Sequence, residues 1–340
     1  MSEPERIVTS SKLSADTEEY SLRPTTLKSF IGQEKIKRQI YIYVQATLKR
    51  GENLDHVLLY GPPGLGKTTL AGIISNELGV GFKSTSAPAI ERPGDLAAIL
   101  TSLEYREVLF IDEIHRLKPI LEEILYPALE DFRLDIVVGQ GPGAKSIKIN
   151  LKPFTLIGAT TRAGVLSSPL RARFGIVQRI DYYSEEDIYK VVKRSARILN
   201  VQITDYAAEI ISRRSRGTPR VANRILRRLR DIAQVEGEGF IDQEIAHKGL
   251  KLLAIDSMGL DNMDKRLVDT IINKYEGGPV GVETLSVSIG EDRDTIEDIY
   301  EPYLIQIGFL KRTSRGRVAT KNAYDHFGFS YHKPIEGELF

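Results

Sequence analysis

The chain has 340 residues, of which 41% are hydrophobic, so it is long enough to form two or three domains with packed cores. Its 47 lysines and arginines nearly balance its 46 acidic residues, and attraction to an anionic partner must therefore come from local clusters of charge. The absence of cysteine excludes disulfide bonds, thiol catalysis and cysteine-ligated zinc. The five histidines show no metal-ligand spacing.

The N-terminal stretch is polar and acidic, unlike the apolar core of a signal peptide or the arginine-rich pattern of a transit peptide. We therefore predict a flexible leader over residues 1–20 and a cytoplasmic protein. No stretch approaches the roughly 18 consecutive apolar residues that a membrane-spanning helix needs, so we expect no membrane association.

Helical periodicity and short apolar runs alternate in the first half of the chain. Residues 36–48 have apolar side chains at helical spacing, and this helix should end near Gly51. The segments HVLLY, EVLFID and PFTLIGATT are short apolar runs that end in polar or turn residues. Strands that alternate with helices predict an α/β fold, with a parallel sheet covered by helices on both faces.

Three further patterns predict the rest of the architecture. The alternating runs LDIVV and SIKINL flank a Gly/Pro-rich turn and predict a β-hairpin insertion over residues 131–150. From residue 184 the pattern is wholly helical, and residues 190–230 carry twelve lysines or arginines against two acids. Helical stretches followed by two short strands around residues 314–316 predict a C-terminal winged helix. The predicted domains are therefore residues 1–183, a small all-α lid over 184–255, and a winged-helix domain over 256–340.

The segment Gly61-Pro62-Pro63-Gly64-Leu65-Gly66-Lys67-Thr68 matches the phosphate-binding pattern G-x-x-x-x-G-K-[ST]. Its glycines allow backbone N–H groups to turn toward a β-phosphate. Lys67 would reach the β- and γ-phosphates of ATP, and the Thr68 hydroxyl would coordinate Mg²⁺. An ordinary glycine-rich loop is the alternative, but the strand before this segment and the helix after it favour nucleotide binding.

The second apolar run ends in two acids, Asp112 and Glu113. Asp112 is expected to hold the Mg²⁺ through water, and Glu113 to polarise the attacking water as a general base. The alternative is a helix N-cap at Asp112 beside a solvated Glu113, because acids favour helix starts. The phosphate-binding loop upstream favours the catalytic roles.

The string IDEIH resembles the Walker B motif of AAA+ ATPases related to clamp loaders, and this resemblance implies an oligomeric ring. A ring of this kind supplies an arginine across each subunit boundary, and Arg173 is the better match to that arginine finger, with Arg171 as the second choice. Thr160 and Thr161 occupy the position of sensor 1, where AAA+ proteins usually have asparagine. The segment Gly217-Thr218-Pro219-Arg220 resembles sensor 2, in which Arg220 would reach the nucleotide from the helical domain. For each arginine the alternative is a solvated surface side chain.

The same resemblance assigns more residues to the nucleotide. It implies that Leu22, Arg23 and Tyr183 lie near the adenine and ribose. It also implies that Thr69, Glu130, Asp131 and Phe132 bind ATP or ADP.

Segments along nearly the whole chain resemble the RuvB family of bacterial Holliday-junction branch-migration ATPases. Among them are LFIDEIHRL, FTLIGATTRAG, SPLRARFGIVQRI and RGTPRVANRILRRLRD. The resemblance implies a homohexameric ring around double-stranded DNA, loaded by RuvA at four-way junctions, with RuvC as a further candidate partner. It also implies that the hairpin 131–150 docks on RuvA. The alternative is a hairpin without a partner, for which exposed Ile136, Val137 and Val138 would be unusual.

The C-terminal region points to DNA on its own residues. Arg293 opens a predicted helix, and the predicted wing carries Lys311, Arg312, Arg315 and Arg317. Contacts from such side chains to phosphates are independent of base sequence, as a translocase requires.

Two other functions share part of this pattern. A clamp-loader ATPase would have the same nucleotide residues but would need no winged helix. A nucleotide-controlled transcription regulator would read bases with its recognition helix. The segment RDTIEDIYEPYLIQ is acidic and mostly apolar, which favours backbone contact over base recognition.

Overall fold

The computed structural model describes residues 22–138 and 145–331. The predicted leader and the tip of the predicted hairpin, residues 139–144, lie outside the described residues. Within the described part, no helix is long and apolar enough to cross a membrane.

A five-stranded parallel sheet forms the centre of the N-terminal region. Its strands are β1 Val57–Tyr60, β2 Phe82–Ser86, β3 Val108–Asp112, β6 Thr155–Thr160 and β7 Ile176–Arg179. They lie in the order β2-β3-β6-β1-β7. The sequence predicts β1, β3 and β6, which are buried and apolar. Strands β2 and β7 form the two edges. Exposed side chains alternate with partly covered ones along most of β2 and with buried ones along β7, so no continuous apolar run marks either strand.

Side chains of the inner strands alternate between two buried faces. On one face Leu58 and Leu109 belong to a core with the helices Pro93–Thr101 and Pro119–Glu130. On the other face, Leu59 and Phe110 pack in a core with the helices Glu34–Arg50 and Lys67–Leu78. The predicted sheet with helices on both faces is thus confirmed. The first of these helices ends as predicted, because Gly51 adopts φ 73° and donates its N–H to the carbonyl of Thr47.

The insertion between the helix Pro119–Glu130 and β6 is a β-hairpin. Strand β4, Arg133–Val138, pairs antiparallel with β5, Lys145–Asn150. The side chains of residues 136–138, whose exposure bears on a docking role, lie outside the described part.

The next region contains four helices, Glu185–Ile198, Asp205–Arg213, Pro219–Glu236 and Gln243–Leu252. The sequence pattern predicts a wholly helical region, and this prediction is wrong in one detail. Strands β8, Gln202–Ile203, and β9, Phe240–Ile241, form a two-residue parallel pair, too short for periodicity to reveal. The core of these helices is continuous with one face of the sheet, through residues such as Phe30 and Tyr183.

The C-terminal region has a separate core, in which Leu267, Leu285, Ile296 and Leu304 are all fully buried. Its helices are Asn262–Asp269, Val282–Ile289, Arg293–Thr295, Glu301–Gln306 and Lys321–Phe327, with π-helical turns at Thr270–Lys274 and Ile296–Tyr300. Strands β10, Leu310–Thr313, and β11, Gly316–Ala319, pair antiparallel as a wing. The predicted winged helix is confirmed.

Candidate functional site

The phosphate-binding loop joins β1 to the helix that begins at Lys67. Gly61, Gly64 and Gly66 have φ values of 142°, 79° and 96°. Residues with a Cβ rarely adopt such angles, so the glycines permit the turn that directs the backbone N–H groups inward. The loop thus presents these groups at the N-terminus of a helix, which favours negative charge.

Lys67 lies at the floor of the cavity that this loop borders. Its Nζ donates hydrogen bonds to the main-chain oxygens of Gly61, at 2.8 Å, and Pro62, at 2.9 Å. Burial lowers the pKa of Lys67, whereas the nearby carboxylates of Glu113 and Asp112 act to raise it. The ammonium group and the two acids therefore face the same space.

Strand β3 carries the two acids to its carboxyl end. Asp112 is the last residue of the strand, and its Oδ1 accepts the N–H of Glu113 at 3.0 Å. Glu113 adopts φ 49°, a left-handed conformation that precedes a short 3-10 turn, Ile114–Arg116. This bend turns the Glu113 side chain away from the strand direction and into the cavity, which both acids line.

The end of β6 contacts the same glutamate. The Thr161 hydroxyl donates to Glu113 Oε2 at 3.4 Å, and His115 Nδ1 lies 3.2 Å from that oxygen. The Thr160 hydroxyl shares a hydrogen bond with His115 Nδ1 at 2.9 Å. Burial lowers the pKa of His115, while the charge of Glu113 opposes the shift. The sequence motif includes His115, but only the structure places it on the predicted general base.

The helical region contributes Arg220 to the cavity. The N–H of Arg220 approaches the Gly64 carbonyl at 3.4 Å, and a Cβ on Gly64 would lie 3.1 Å from Arg220 Cβ. Glycine at position 64 therefore lets the phosphate-binding loop and the sensor 2 segment meet. Residues that are far apart in the sequence form one site.

The same cavity is lined by the residues predicted near adenine and ribose, Leu22, Arg23 and Tyr183. The Tyr183 hydroxyl donates to the Leu65 carbonyl at 3.1 Å, and burial raises the pKa of this tyrosine. Arg194 donates to the Leu22 carbonyl at 2.8 Å, and burial lowers the pKa of Arg194. The sequence pattern gives no signal for Arg194, because it is one of many basic residues on amphipathic helices.

The donor set of the cavity fits Mg²⁺. Thr68, Thr69, Asp112 and Glu113 all line it. Hydroxyl and carboxylate oxygens are the ligands that Mg²⁺ takes, typically few from protein and the rest from phosphate and water. Thr68 and Asp112 would hold the ion.

Besides Thr161, which contacts the cavity residue Glu113, four of the residues predicted for catalysis or nucleotide binding do not line this cavity. Arg173 pairs with Glu130 at 3.0 Å, and its guanidinium lies 4.3 Å from the centre of the Tyr126 ring. Asp131 pairs with Arg133 at 3.1 Å, and Phe132 packs edge-on against Phe154. Arg173, Glu130, Asp131 and Phe132 thus lie together, at a distance from the loop of their own chain.

The predicted DNA contacts fall into two groups. Lys311, Arg312 and Arg315 are exposed on the wing, and Arg293 is exposed at the start of its helix. Arg317 does not belong to this exposed cluster, because it is 9% exposed and donates hydrogen bonds to Glu301 and Glu297. Its position on β11 turns it inward, whereas the pattern of charges alone placed it outside.

Three family models match consecutive parts of the chain. The model of the Holliday junction DNA helicase RuvB P-loop domain matches residues 22–180. The models of the RuvB AAA lid domain and the RuvB C-terminal winged helix domain match residues 183–256 and 257–328.

Solved structures of RuvB from Thermotoga maritima are similar. One, described as the Holliday junction branch migration motor, is 49% identical with a TM-score of 0.85, covering 92% of this chain and 100% of that chain. A single-site mutant of the same protein is 50% identical with a TM-score of 0.85, covering 92% of this chain and 99% of that chain. With all three regions matched, the chain belongs to the RuvB family of Holliday junction DNA helicases, which are P-loop ATPases of the AAA+ type.

Proposed function

We propose that this chain is the ATPase subunit of a DNA translocase that drives branch migration of Holliday junctions in homologous recombination and DNA repair. The observation that carries the proposal is the single cavity that the phosphate-binding loop, Asp112, Glu113 and Arg220 line together. The winged helix in the same chain supplies an element that can contact DNA.

Hydrolysis of ATP to ADP and phosphate would proceed from this cavity. Lys67 and the loop N–H groups would bind the phosphates and compensate their charge. Glu113 would accept a proton from the attacking water, with Thr161 and His115 holding its carboxylate in place. Thr68 and Asp112 would hold Mg²⁺, which would supply positive charge against the phosphates.

The predicted binding residues outside the cavity fit a ring. Because Arg173, Glu130, Asp131 and Phe132 lie away from their own loop, we propose that they complete the site of a neighbouring subunit. Such head-to-tail contacts close into rings when the rotation from one subunit to the next divides a full turn. The subunit would then be part of a homohexamer that surrounds double-stranded DNA, with Arg173 as the arginine finger.

DNA contact is proposed for the wing and the helix start. Arg312, Arg315 and Arg293 are exposed and cationic, and they would bind phosphates without regard to sequence. Arg317 would reach phosphate only by sharing its present partners, Glu297 and Glu301.

Further proposals concern the partners and the organisation of the chain. The hairpin 131–150 would dock on RuvA at a four-way junction, and RuvC is a candidate partner in the same assembly; the antiparallel pair β4 and β5 supports an insertion of this kind. We also propose domain boundaries at 183/184 and 255/256, and the separate core of the C-terminal region supports the second of them. A protein that works on the bacterial chromosome would act in the cytoplasm.

The test is ATP-dependent dissociation of a synthetic four-way DNA junction, with and without RuvA, with the Glu113→Gln variant as control. Dissociation that requires ATP, RuvA and Glu113 would support branch migration. Hydrolysis without junction movement would favour a clamp-loader-like ATPase, and a preference for one duplex sequence would favour a regulator.

A further inference from the structure

Arg162 bridges the nucleotide site and the winged helix. It follows Thr160 and Thr161 at the end of β6, and its Nε donates to Asp298 Oδ1 at 2.6 Å. Its second nitrogen, Nη2, lies 3.5 Å from Asp294 and 3.6 Å from Glu297. All three acids belong to the helical segment 293–306 of the C-terminal region. A single side chain thus joins two regions that have separate cores.

On the nucleotide side, Arg162 is tied to the predicted general base. Its backbone N–H donates to the Thr160 hydroxyl at 3.0 Å, and that hydroxyl shares a hydrogen bond with His115. His115 and Thr161 both contact Glu113 Oε2. The position of Arg162 therefore fixes the segment that holds the Glu113 carboxylate.

On the DNA side, Glu297 is shared between Arg162 and the predicted DNA contacts. Its Oε2 lies 3.6 Å from Arg162 and 3.6 Å from Arg293. Its Oε1 accepts hydrogen bonds from Arg312 at 2.9 Å and Arg317 at 2.7 Å. Four arginines thus compete for one carboxylate that is 12% exposed.

The charges of this cluster favour the ionised forms of both Glu297 and Arg162. Burial acts to raise the pKa of Glu297, but the hydrogen bond from Arg317 and the charges of Arg293 and Arg312 outweigh it, so the pKa is lowered. The hydrogen bond to Asp298 raises the pKa of Arg162 against the effect of burial. The bridge is therefore an ion-pair network and responds to any new charge beside it.

We propose that Arg162 is a positioning residue that couples the hydrolytic site to DNA held by the wing, through Asp298 and Glu297. This inference rests on the proposed function, because it requires duplex DNA at Arg312.

The coupling follows from competition for Glu297. A phosphate that takes the exposed Arg312 withdraws one cation from Glu297 and leaves Arg162, Arg293 and Arg317 as its partners. A shift of the segment 293–306 then moves Arg162, and with it Thr160 and Thr161 at Glu113. Coupling of this kind is reciprocal for binding, so nucleotide must alter duplex affinity by the factor with which duplex alters nucleotide affinity.

The experiment measures the ATPase rate with and without saturating duplex for the full-length protein and variants. Asp298→Asn removes the negative charge of the main partner of Arg162 without touching the nucleotide cavity. Its rate without duplex should match the parent, while the ratio of the rates with and without duplex should fall toward one, by about 5-fold or more. Arg50→Gln removes an exposed ion pair with Glu52 and is the matched control, with an unchanged ratio.

Charge restoration separates coupling from simple support. Asp298→Glu should keep most of the parent's ratio, and Arg162→Asp combined with Asp298→Arg should recover much of what either single variant loses. The ratio of duplex affinities measured with a non-hydrolysable ATP analogue and with ADP should change in the same order across the variants.

Two results would overturn the coupling, and both differ from a failure of the proposed function. An unchanged ratio in both Asp298→Asn and Arg162→Gln would overturn the coupling. A lowered ratio that neither Asp298→Glu nor the exchanged pair recovers would also overturn it, because a structural role needs no matched charges. Failure of the proposed function is recognised separately, as a parent protein with no response to duplex and no junction dissociation.

Discussion

The guanidinium of Arg216 and the carboxylate of Asp264 form a two-pronged ion pair that joins the helical lid to the winged helix. Arg216 Nη1 lies 3.3 Å from Asp264 Oδ1, and Nη2 bonds to Oδ2. Asp264 is fully buried, and Arg216 Nε also donates to the Gly259 carbonyl at 2.7 Å. Because Arg216 stands just before the Gly217 turn that leads to Arg220, the pair also anchors the sensor 2 segment.

Arg216→Ala should destabilise the protein by about 3–5 kcal/mol, because it leaves the Asp264 carboxylate buried without its partner. Denaturant unfolding of the C-terminal region, followed at neutral pH, measures the loss. Arg213→Ala is the control: Arg213 makes only exposed ion pairs, so its loss should cost less than about 1 kcal/mol. Equal losses in the two variants would contradict a specific role for the buried pair.

The loss in Arg216→Ala should also depend on pH. Burial raises the pKa of Asp264 to about 6, against the opposing charge of Arg216, whereas an unfolded aspartate titrates near 4. Because the folded-state pKa is the higher one, the stability that this group contributes is present below about pH 4 and is lost as the pH rises through about 6. Without Arg216 the pKa rises further, so the variant should lose less stability at pH 5 than at pH 8. A loss that is the same at both pH values would contradict this account.

Lys67→Ala and Glu113→Gln should separate nucleotide binding from hydrolysis. Lys67→Ala removes the cation at the floor of the cavity and should abolish ATP binding, measured with a fluorescent analogue. Glu113→Gln should bind ATP with little change but hydrolyse it about 10² to 10⁴ times more slowly, because the general base is lost. Lys49→Ala, which removes an exposed lysine, should change neither quantity. Rapid hydrolysis by Glu113→Gln would assign the base to another residue.

The nucleotide motifs could be predicted because each is continuous in the sequence. The phosphate-binding loop and the pair Asp112 and Glu113 need only local spacing and a neighbouring strand. Arg162 and Asp298 are 136 residues apart, and Arg216 and Asp264 are 48 apart, so no periodicity connects them. Long-range ion pairs of this kind form only when the fold brings separate elements together.

The inward position of Arg317 shows a second limit. Charge clustering indicates which residues lie on one strand or turn, but it does not indicate which of them a neighbouring helix covers. Glu301 is 2% exposed, and its pairing with Arg317 follows from the packing of the segment 293–306 against the wing. Burial of this kind depends on tertiary structure.

Arg312→Ala should weaken duplex binding to a similar extent for unrelated sequences, and it should reduce the slope of log affinity against log salt by about one.

Arg317→Ala should in addition lower the free energy of unfolding by about 1–3 kcal/mol, because Glu301 and Glu297 lose a buried donor. Titration of two unrelated duplexes at several salt concentrations measures the effect on binding, denaturant unfolding measures the effect on stability, and Arg50→Ala is the control in both. A loss limited to one duplex would contradict phosphate contact, and an unchanged salt slope in Arg317→Ala would restrict Arg317 to a structural role.

Arg173→Ala should retain ATP binding but reduce hydrolysis by about 10³-fold or more, because an arginine finger stabilises charge in the transition state. Arg171→Ala should stay within a few-fold of the parent if Arg173 is the finger.

Mixing inactive variants tests whether Arg173 acts on a neighbouring subunit. Lys67→Ala has an intact finger beside a defective loop, and Arg173→Ala has an intact loop with no finger. In a randomly mixed ring at equal amounts, about a quarter of the interfaces would join an intact loop to an intact finger. Hydrolysis should therefore reappear on mixing in the presence of duplex DNA, although each variant alone is inactive. If the arginine served the loop of its own chain, no mixed interface would combine the two intact parts, and the mixture would remain as inactive as its components.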